Sequence, residues 1–315
     1  MSYRSPRWLR GAHAQTIWPL ARKGEMPRFE RERLDTPDGD FVDVDFLPRQ
    51  KGKPLVTLFH GLEGSSRSHY ARALMRALMA RGWNGAVVHF RGCSGEPNRL
   101  ARAYHSGDAD EIDWALTQIA ARYPDVPRYA AGVSLGGNAL LCWLGTRESL
   151  AHRLVDKAAA VSAPLDLTLA GHHLDKGFNR VYTRHFLTTL QRAVQVKAQR
   201  FPGLFDAARA AAARSLFEFD DAYTAPMHGF ADAHDYWRRA SSKPLLRGIA
   251  VPTLIINARN DPFMPLEVLP SRQEVSPMVE LDQPAEGGHV GFASGSFPGH
   301  IDWLPRRLLD FFSAP

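Results

Sequence analysis

Short apolar runs at 54–59 (PLVTLF), 85–90 (GAVVHF), 128–133, 158–162, 251–257 (VPTLIIN) and 277–281 constrain this chain more than any other feature. Each is too short for a stable helix, and most are apolar at consecutive positions, the pattern of a strand buried on both faces. Between them lie segments of helical spacing: 68–81, stopped by the Arg81-Gly82 C-cap signal, about 107–122, and the apolar stretch from Ser134 through Trp143. A last helix is expected over 301–312. Strands that alternate with helices lie parallel, because each crossover returns over one face of the sheet. A hairpin at 28–47, turning at Asp38-Gly39, precedes the alternation.

One segment breaks the rhythm. From Leu165 to Arg247 there is no convincing strand. Phe178, Tyr182, His185 or Phe186, Thr189 or Leu190, and Ala193 fall at helical spacing, and an alanine-rich stretch from Leu204 to Phe217 reads as a second helix. We expect residues 1–164 and 248–315 to form an α/β core, with 165–247 inserted as a helical cap or lid. A second packed layer with no gating role is the plainer alternative.

Hydrophobic residues make up 44% and charged residues 23% of the 315, which excludes a disordered chain. The formal charge of +6 invites a nucleic-acid reading, but the 39 Lys and Arg are dispersed, with no run of five or six like charges. No nucleic-acid partner is expected. Cys93 and Cys142 form no C-x-x-C pair, so structural zinc and a disulfide framework are not expected. The basic N-terminal stretch lacks the apolar core of a secretory signal, and no run of about 18 apolar residues occurs. The expected location is the cytoplasm.

Gly132-Val133-Ser134-Leu135-Gly136 matches G-x-S-x-G and sits between an expected strand and an expected helix. That context is what a nucleophile elbow needs: a tight turn that lifts the serine hydroxyl above the carboxyl edge of the sheet, at a helix N-terminus. A helix N-cap is the alternative role for such a serine. A serine nucleophile needs a base, and the base needs a carboxylate to orient it. Asp261 follows the 251–257 strand in NARNDP, and His289 follows the next strand in EGGHVGF, giving the chain order Ser, Asp, His. Asp282 and Glu286 are rival acids near the same edge, and His300 is a weaker rival base. Ser94 in GCSG follows a strand but is not followed by a helix, and Cys93 reads as a packing residue. Acyl transfer also needs oxyanion donors; the backbone N–H groups of Leu135 and of Leu62, in His60-Gly61-Leu62-Glu63-Gly64, fit that role. No phosphate loop, dinucleotide fingerprint or metal-ligand spacing is present in the sequence, so neither cofactor nor metal is expected.

With GAHAQTIWP (11–19), HGLEGS (60–65), HFRGCSGEPNR (89–99), YHSG (104–107), GVSLGGN (132–138), RNDPF (259–263) and GGHVGF (287–292), the chain resembles the α/β-hydrolase superfamily. Within it, the chain is similar to the YheT-like group of bacterial hydrolases, related to eukaryotic α/β-hydrolase-domain lipases. The resemblance implies an α/β-hydrolase fold with an eight-stranded, mostly parallel sheet and a helical cap. It also implies a serine ester hydrolase with the triad Ser134, Asp261 and His289 and no cofactor. The expected partner is a small ester or lipid carrying an acyl chain and a polar or anionic head. A thioesterase, an amidase or peptidase, or a binding module on the same fold are the alternatives. Contact with a membrane surface and the oligomeric state stay open. The RGCSGEPNR segment is expected to shape the pocket rim, with Arg91 and Arg99 as anion contacts.

Overall fold

The computed structural model describes residues 3–22 and 24–314. Eight strands form one sheet: β1 Glu30–Asp35, β2 Phe41–Phe46, β3 Leu55–Phe59, β4 Asn84–Val88, β5 Arg128–Val133, β6 Lys157–Val161, β7 Thr253–Ile256 and β8 Val279–Asp282. Their order is β1-β2-β4-β3-β5-β6-β7-β8. Only the pairs made by β2, with β1 and with β4, are antiparallel. The hairpin turns where expected, with the Thr36 N–H donating to Asp40 O at 3.0 Å.

Alternation along the strands divides the core into two layers. Leu55 and Phe59 of β3 face one layer with Ile255 of β7. Val56 and Leu58 face the other with Leu254 and Ile256. The first layer is covered by α3 (Ala109–Arg122) and α4 (Leu135–Arg147), the second by α2 (His69–Arg81) and α11 (Trp303–Ser313). A short N-terminal helix, α1 (Ala12–Ile17), precedes the sheet.

The chain runs from β3 to β4 on one side of the sheet, while β5 pairs with β3 on the other. Strand order therefore reverses between β3 and β5, and the loops leaving their carboxyl ends diverge. Such a switch point leaves a crevice, the usual place for a ligand in an open α/β sheet.

Residues 165–247 lie between β6 and β7 and contain no strand. They form α5 (Leu167–Leu174), α6 (Arg180–Arg200), α7 (Ala207–Ala212), α8 (Leu216–Phe219), α9 (Ala225–Met227) and α10 (Ala233–Arg239). A π-helical turn over Asp220–Thr224 joins α8 to α9. The single helix expected over 204–217 is two. Ala213 turns extended and ends α7, and Ser215, also extended, caps α8 with its hydroxyl accepting the Glu218 N–H at 3.1 Å. A residue with its own capping oxygen starts a new helix where alanine content alone would continue the old one. Among the described residues no helix is long and apolar enough to cross a membrane.

Candidate active site

β5 ends at Val133, and α4 starts at Leu135, so Ser134 alone makes the turn between them. Its φ of 53° and ψ of −121° lie outside the ordinary regions for an L-residue. The turn closes only because its flanks have no side chains. A Cβ on Gly136 would stand 2.4 Å from His60 O, and one on Gly132 2.4 Å from Gly136 O. The Ser134 N–H donates to Val161 O at 2.8 Å, which fixes the turn to the end of β6.

The loops after β7 and β8 bring two more groups to this serine. His289 Nε2 lies 3.0 Å from Ser134 Oγ, and His289 Nδ1 lies 2.8 Å from Asp261 Oδ2. A neutral imidazole beside a carboxylate keeps its proton on the nitrogen facing it, so Nδ1–H donates to Asp261 and Nε2 is left to accept from the serine. The other Asp261 oxygen accepts the Phe263 N–H at 2.8 Å. The Phe263 ring stacks on His289 with centroids 4.0 Å apart and planes 14° apart, which limits rotation of the imidazole. The rival residues are engaged elsewhere. Asp282 pairs with Arg307 at 2.8 Å, Glu286 accepts from Ser5, and His300 pairs with Asp302 ahead of α11.

The loop after β3 passes beside the serine; a Cβ on Gly61 would come within 3.1 Å of Ser134 Cβ. This loop is held from three directions. Buried His60 has its Nδ1 2.8 Å from Gly61 O, and its Nε2 accepts the Phe90 N–H at 3.1 Å. Burial pushes that imidazole down to about 3, so it stays neutral. Tyr70 Oη accepts the Gly61 N–H at 2.8 Å. Tyr104 Oη accepts the Glu63 N–H at 2.9 Å and donates to Glu63 Oε1 at 2.8 Å, clamping a residue with a φ of 53°. The N–H groups on both sides of Leu62 are thus taken by tyrosine hydroxyls. Leu62 and Leu135 line the same cavity as Ser134 and His289.

The family model of the alpha/beta hydrolase fold matches residues 54–296. The chain is 43% identical to the Escherichia coli (strain K12) protein YheT over 313 residues, covering 98% of this chain and 92% of the other. The chain belongs to the α/β-hydrolase family. It is also similar to phospholipase ABHD3 of Mus musculus, at 28% identity over 98% of this chain and 77% of that one. Among solved structures, an esterase of Pyrococcus furiosus, Pf2001, shares the fold with a TM-score of 0.58 and 16% identity, covering 98% of this chain and 95% of that one.

The α/β-hydrolase core meets the helical insertion around a cavity of about 180 Å³. The core contributes Leu62, Leu135, Phe263 and Met264; the insertion contributes Leu174, Phe186, Leu190, Val194, Leu216 and Trp237. Charged groups in the wall are few, and burial shifts three of them toward the neutral form. The Glu63 carboxyl is raised, Asp220 is pushed up to about 6, and Lys197 down to about 8. Asp220 accepts from Trp237 Nε1 at 2.7 Å and Thr224 Oγ1 at 2.6 Å, and Lys197 Nζ donates to two carbonyls, Ala101 O and Arg102 O, each at 2.7 Å. Among the described residues no group of three His, Cys, Asp or Glu is placed to hold a metal ion.

Two of the sequence expectations need correction. Arg91 is 5% exposed and held by Glu111 at 2.6 Å, Asp38 at 2.9 Å and Asp40 at 3.2 Å. Arg99 pairs with Asp35 at 2.7 Å and donates to Gly39 O and Asp40 O. Neither guanidinium is an open anion contact. Asn98 completes the arrangement by donating to Asp40 Oδ1 and Phe41 O. The RGCSGEPNR segment is therefore a strap that fastens the loop after β4 to the hairpin, although Arg91 and Gly92 do reach the cavity wall. Cys93 is a packing residue, and burial pushes its thiol well above the ordinary range.

The part sequence reasoning missed is α1. Gln15 is fully buried. Its Oε1 accepts both Asn260 Nδ2 and the Gly287 N–H at 2.9 Å, and its Nε2 donates to Leu9 O at 3.0 Å. Thr16 Oγ1 accepts the His289 N–H at 2.9 Å. The Asn260 Oδ1 accepts the Gly288 N–H at 3.0 Å. Helix α1 thereby ties the loop bearing Asp261 to the loop bearing His289. GAHAQTIWP had marked the segment, but nothing in its spacing indicated what it touches.

Proposed function

We propose that this α/β-hydrolase is a serine carboxylic-ester hydrolase that acts on esters of an apolar acyl chain. The observation that carries the reading is the hydrogen-bonded row Ser134–His289–Asp261 opening on a largely apolar cavity. Ser134 Oγ attacks the ester carbonyl as His289 Nε2 takes its proton. Asp261 holds the imidazole in the required tautomer and stabilises the imidazolium. The oxyanion of the tetrahedral intermediate accepts from the N–H groups of Leu62 and Leu135, the second at the N-terminus of α4. His289 then protonates the leaving alkoxide, and the acyl group remains on Ser134. A water molecule enters, gives its proton to His289 and attacks the acyl-enzyme, and the acid leaves as Ser134 recovers its proton.

In this reading residues 165–247 are the cap, and the acyl chain lies among the apolar side chains of α5, α6 and α8. The name of the similar ABHD3, a phospholipase, supports ester chemistry of this kind. The test is covalent labelling with a fluorophosphonate, with the modified peptide mapped by mass spectrometry. Wild type should label at Ser134, and Ser134→Ala should not. A folded wild type that neither labels nor hydrolyses p-nitrophenyl acetate would overturn the assignment.

A further inference from the structure

One surface feature takes no part in the chemistry above. Trp8, Trp18 and Phe297 form an aromatic cluster with edge-on or tilted contacts of 5.5 to 5.9 Å. Both indole N–H groups are already satisfied, by Gly295 O and Pro298 O. What the cluster shows to solvent is therefore apolar. Phe297 is 69% exposed, and Ile17 and Leu20, from α1 and the turn after it, are 44% and 50% exposed. The apolar face continues along α1. His13 lies one helical turn before Ile17 and packs on Phe178, itself exposed, with centroids 4.5 Å apart. Scattered exposed apolar side chains are ordinary; an aromatic cluster joined by contact, with Ile17 and Leu20 exposed beside Trp18 in the chain, is not.

Cations lie along this face. Arg4, Arg7 and Arg10 are exposed, on the segment that carries Trp8 and leads into α1. None of them has a carboxylate partner among the described residues, so their charge is open to an anionic surface. The neighbouring carboxylates Glu286 and Asp302 are engaged, by Ser5 and by His300.

We propose that this face, with Ile17, Leu20 and Phe297 at its centre and Arg4, Arg7 and Arg10 along its margin, docks on an anionic lipid bilayer. Side chains that present carbon to solvent lodge at the boundary of headgroups and acyl chains, while arginines meet the phosphates. A nucleic-acid surface would place cations, not aliphatic side chains, at the centre. The face borders the cavity side of the molecule: His13 hydrogen-bonds Tyr182, and Tyr182 packs on Phe263, which stacks on His289. A molecule seated this way holds its cavity near the lipid.

The test is cosedimentation of the full chain with phosphatidylcholine vesicles, with and without phosphatidylglycerol. The protein should sediment with the anionic vesicles, and added salt should weaken the binding. The double substitution Arg7→Gln/Arg10→Gln should weaken it roughly 25-fold, at about fivefold per basic residue. Leu20→Ser/Phe297→Ser should weaken it by about tenfold or more. Thermal melts establish that both variants are folded, and no step of the assay depends on hydrolysis. Failure of wild type to bind anionic vesicles, or binding untouched by both double substitutions, would overturn the proposal. So would concentration-dependent dimerisation abolished by Leu20→Ser/Phe297→Ser, which would make a second copy of the chain the occupant.

Discussion

Replacing Gln15 by leucine removes the side chain that joins the loops bearing Asp261 and His289 while nearly conserving its volume. The structure gives the size of the effect. Three hydrogen bonds disappear, and the groups left behind are Leu9 O, Asn260 Nδ2 and the Gly287 N–H, around a residue that was fully buried. At about 1 kcal/mol net for each bond, Gln15→Leu costs about 3 kcal/mol if water replaces the lost partners, and about 6 if the orphaned groups stay dry. The kinetic cost is separate. Asn260 adjoins Asp261, and Gly287 lies two residues before His289, so loosening either loop displaces a member of the proposed triad. A displacement of about 1 Å costs on the order of 100-fold in kcat. Urea unfolding followed by tryptophan fluorescence measures the first quantity, and turnover of p-nitrophenyl butyrate the second. If kcat stays within about threefold of wild type and stability within about 1 kcal/mol, α1 is a bystander, and the reasoning fails.

Three further outcomes follow from the site. Tyr104→Phe leaves the Glu63 N–H without its acceptor; kcat should fall about tenfold with KM unmoved, a fraction of the loss expected for a whole oxyanion donor, and an unchanged kcat would exclude the clamp. Ala170→Leu fills part of the cavity, so in a series of p-nitrophenyl esters the preferred acyl chain should shorten while the acetate is still turned over; an unshifted preference would place the acyl chain elsewhere. Asp220, pushed up to about 6 by burial, holds its proton more tightly folded than unfolded, so its contribution to stability falls as pH rises from about 4 through 6. Asparagine is neutral throughout, so the stability of Asp220→Asn relative to wild type should grow by about 3 kcal/mol between about pH 4 and about pH 7. A constant difference in urea unfolding across that range would refute the protonated state.

The sheet was legible because each of its buried strands announces itself locally, by an apolar run and the glycine or polar loop that ends it. Ser134, Asp261 and His289 were legible for the same reason: each follows directly on a strand, and the parallel sheet delivers strand ends to one edge. Gln15 was not, because an amide in a short helix carries no local sign that its partners are Asn260 and Gly287. Arg91 misled for a related reason. An arginine in a loop after a strand reads as available for an anion, and only the fold shows Asp38, Asp40 and Glu111 converging on it. Within 165–247 the helical character was clear from spacing, but the break before α8 depends on the extended turn at Ala213 and on a capping bond from Ser215, which compete with alanine propensity.

The dependence of the serine on distant loops also sets when it can become reactive. Ser134 and His289 are 155 residues apart, and Thr16 meets the His289 N–H across 273. At the pace of protein synthesis, the imidazole is added roughly 8–30 s after the hydroxyl it serves. Through that interval the nascent polypeptide carries an ordinary alcohol, with its strained turn still unsupported by the loops after β7 and β8. On the proposed mechanism, the hydroxyl gains its base only when the loop after β8 closes on the much earlier α1.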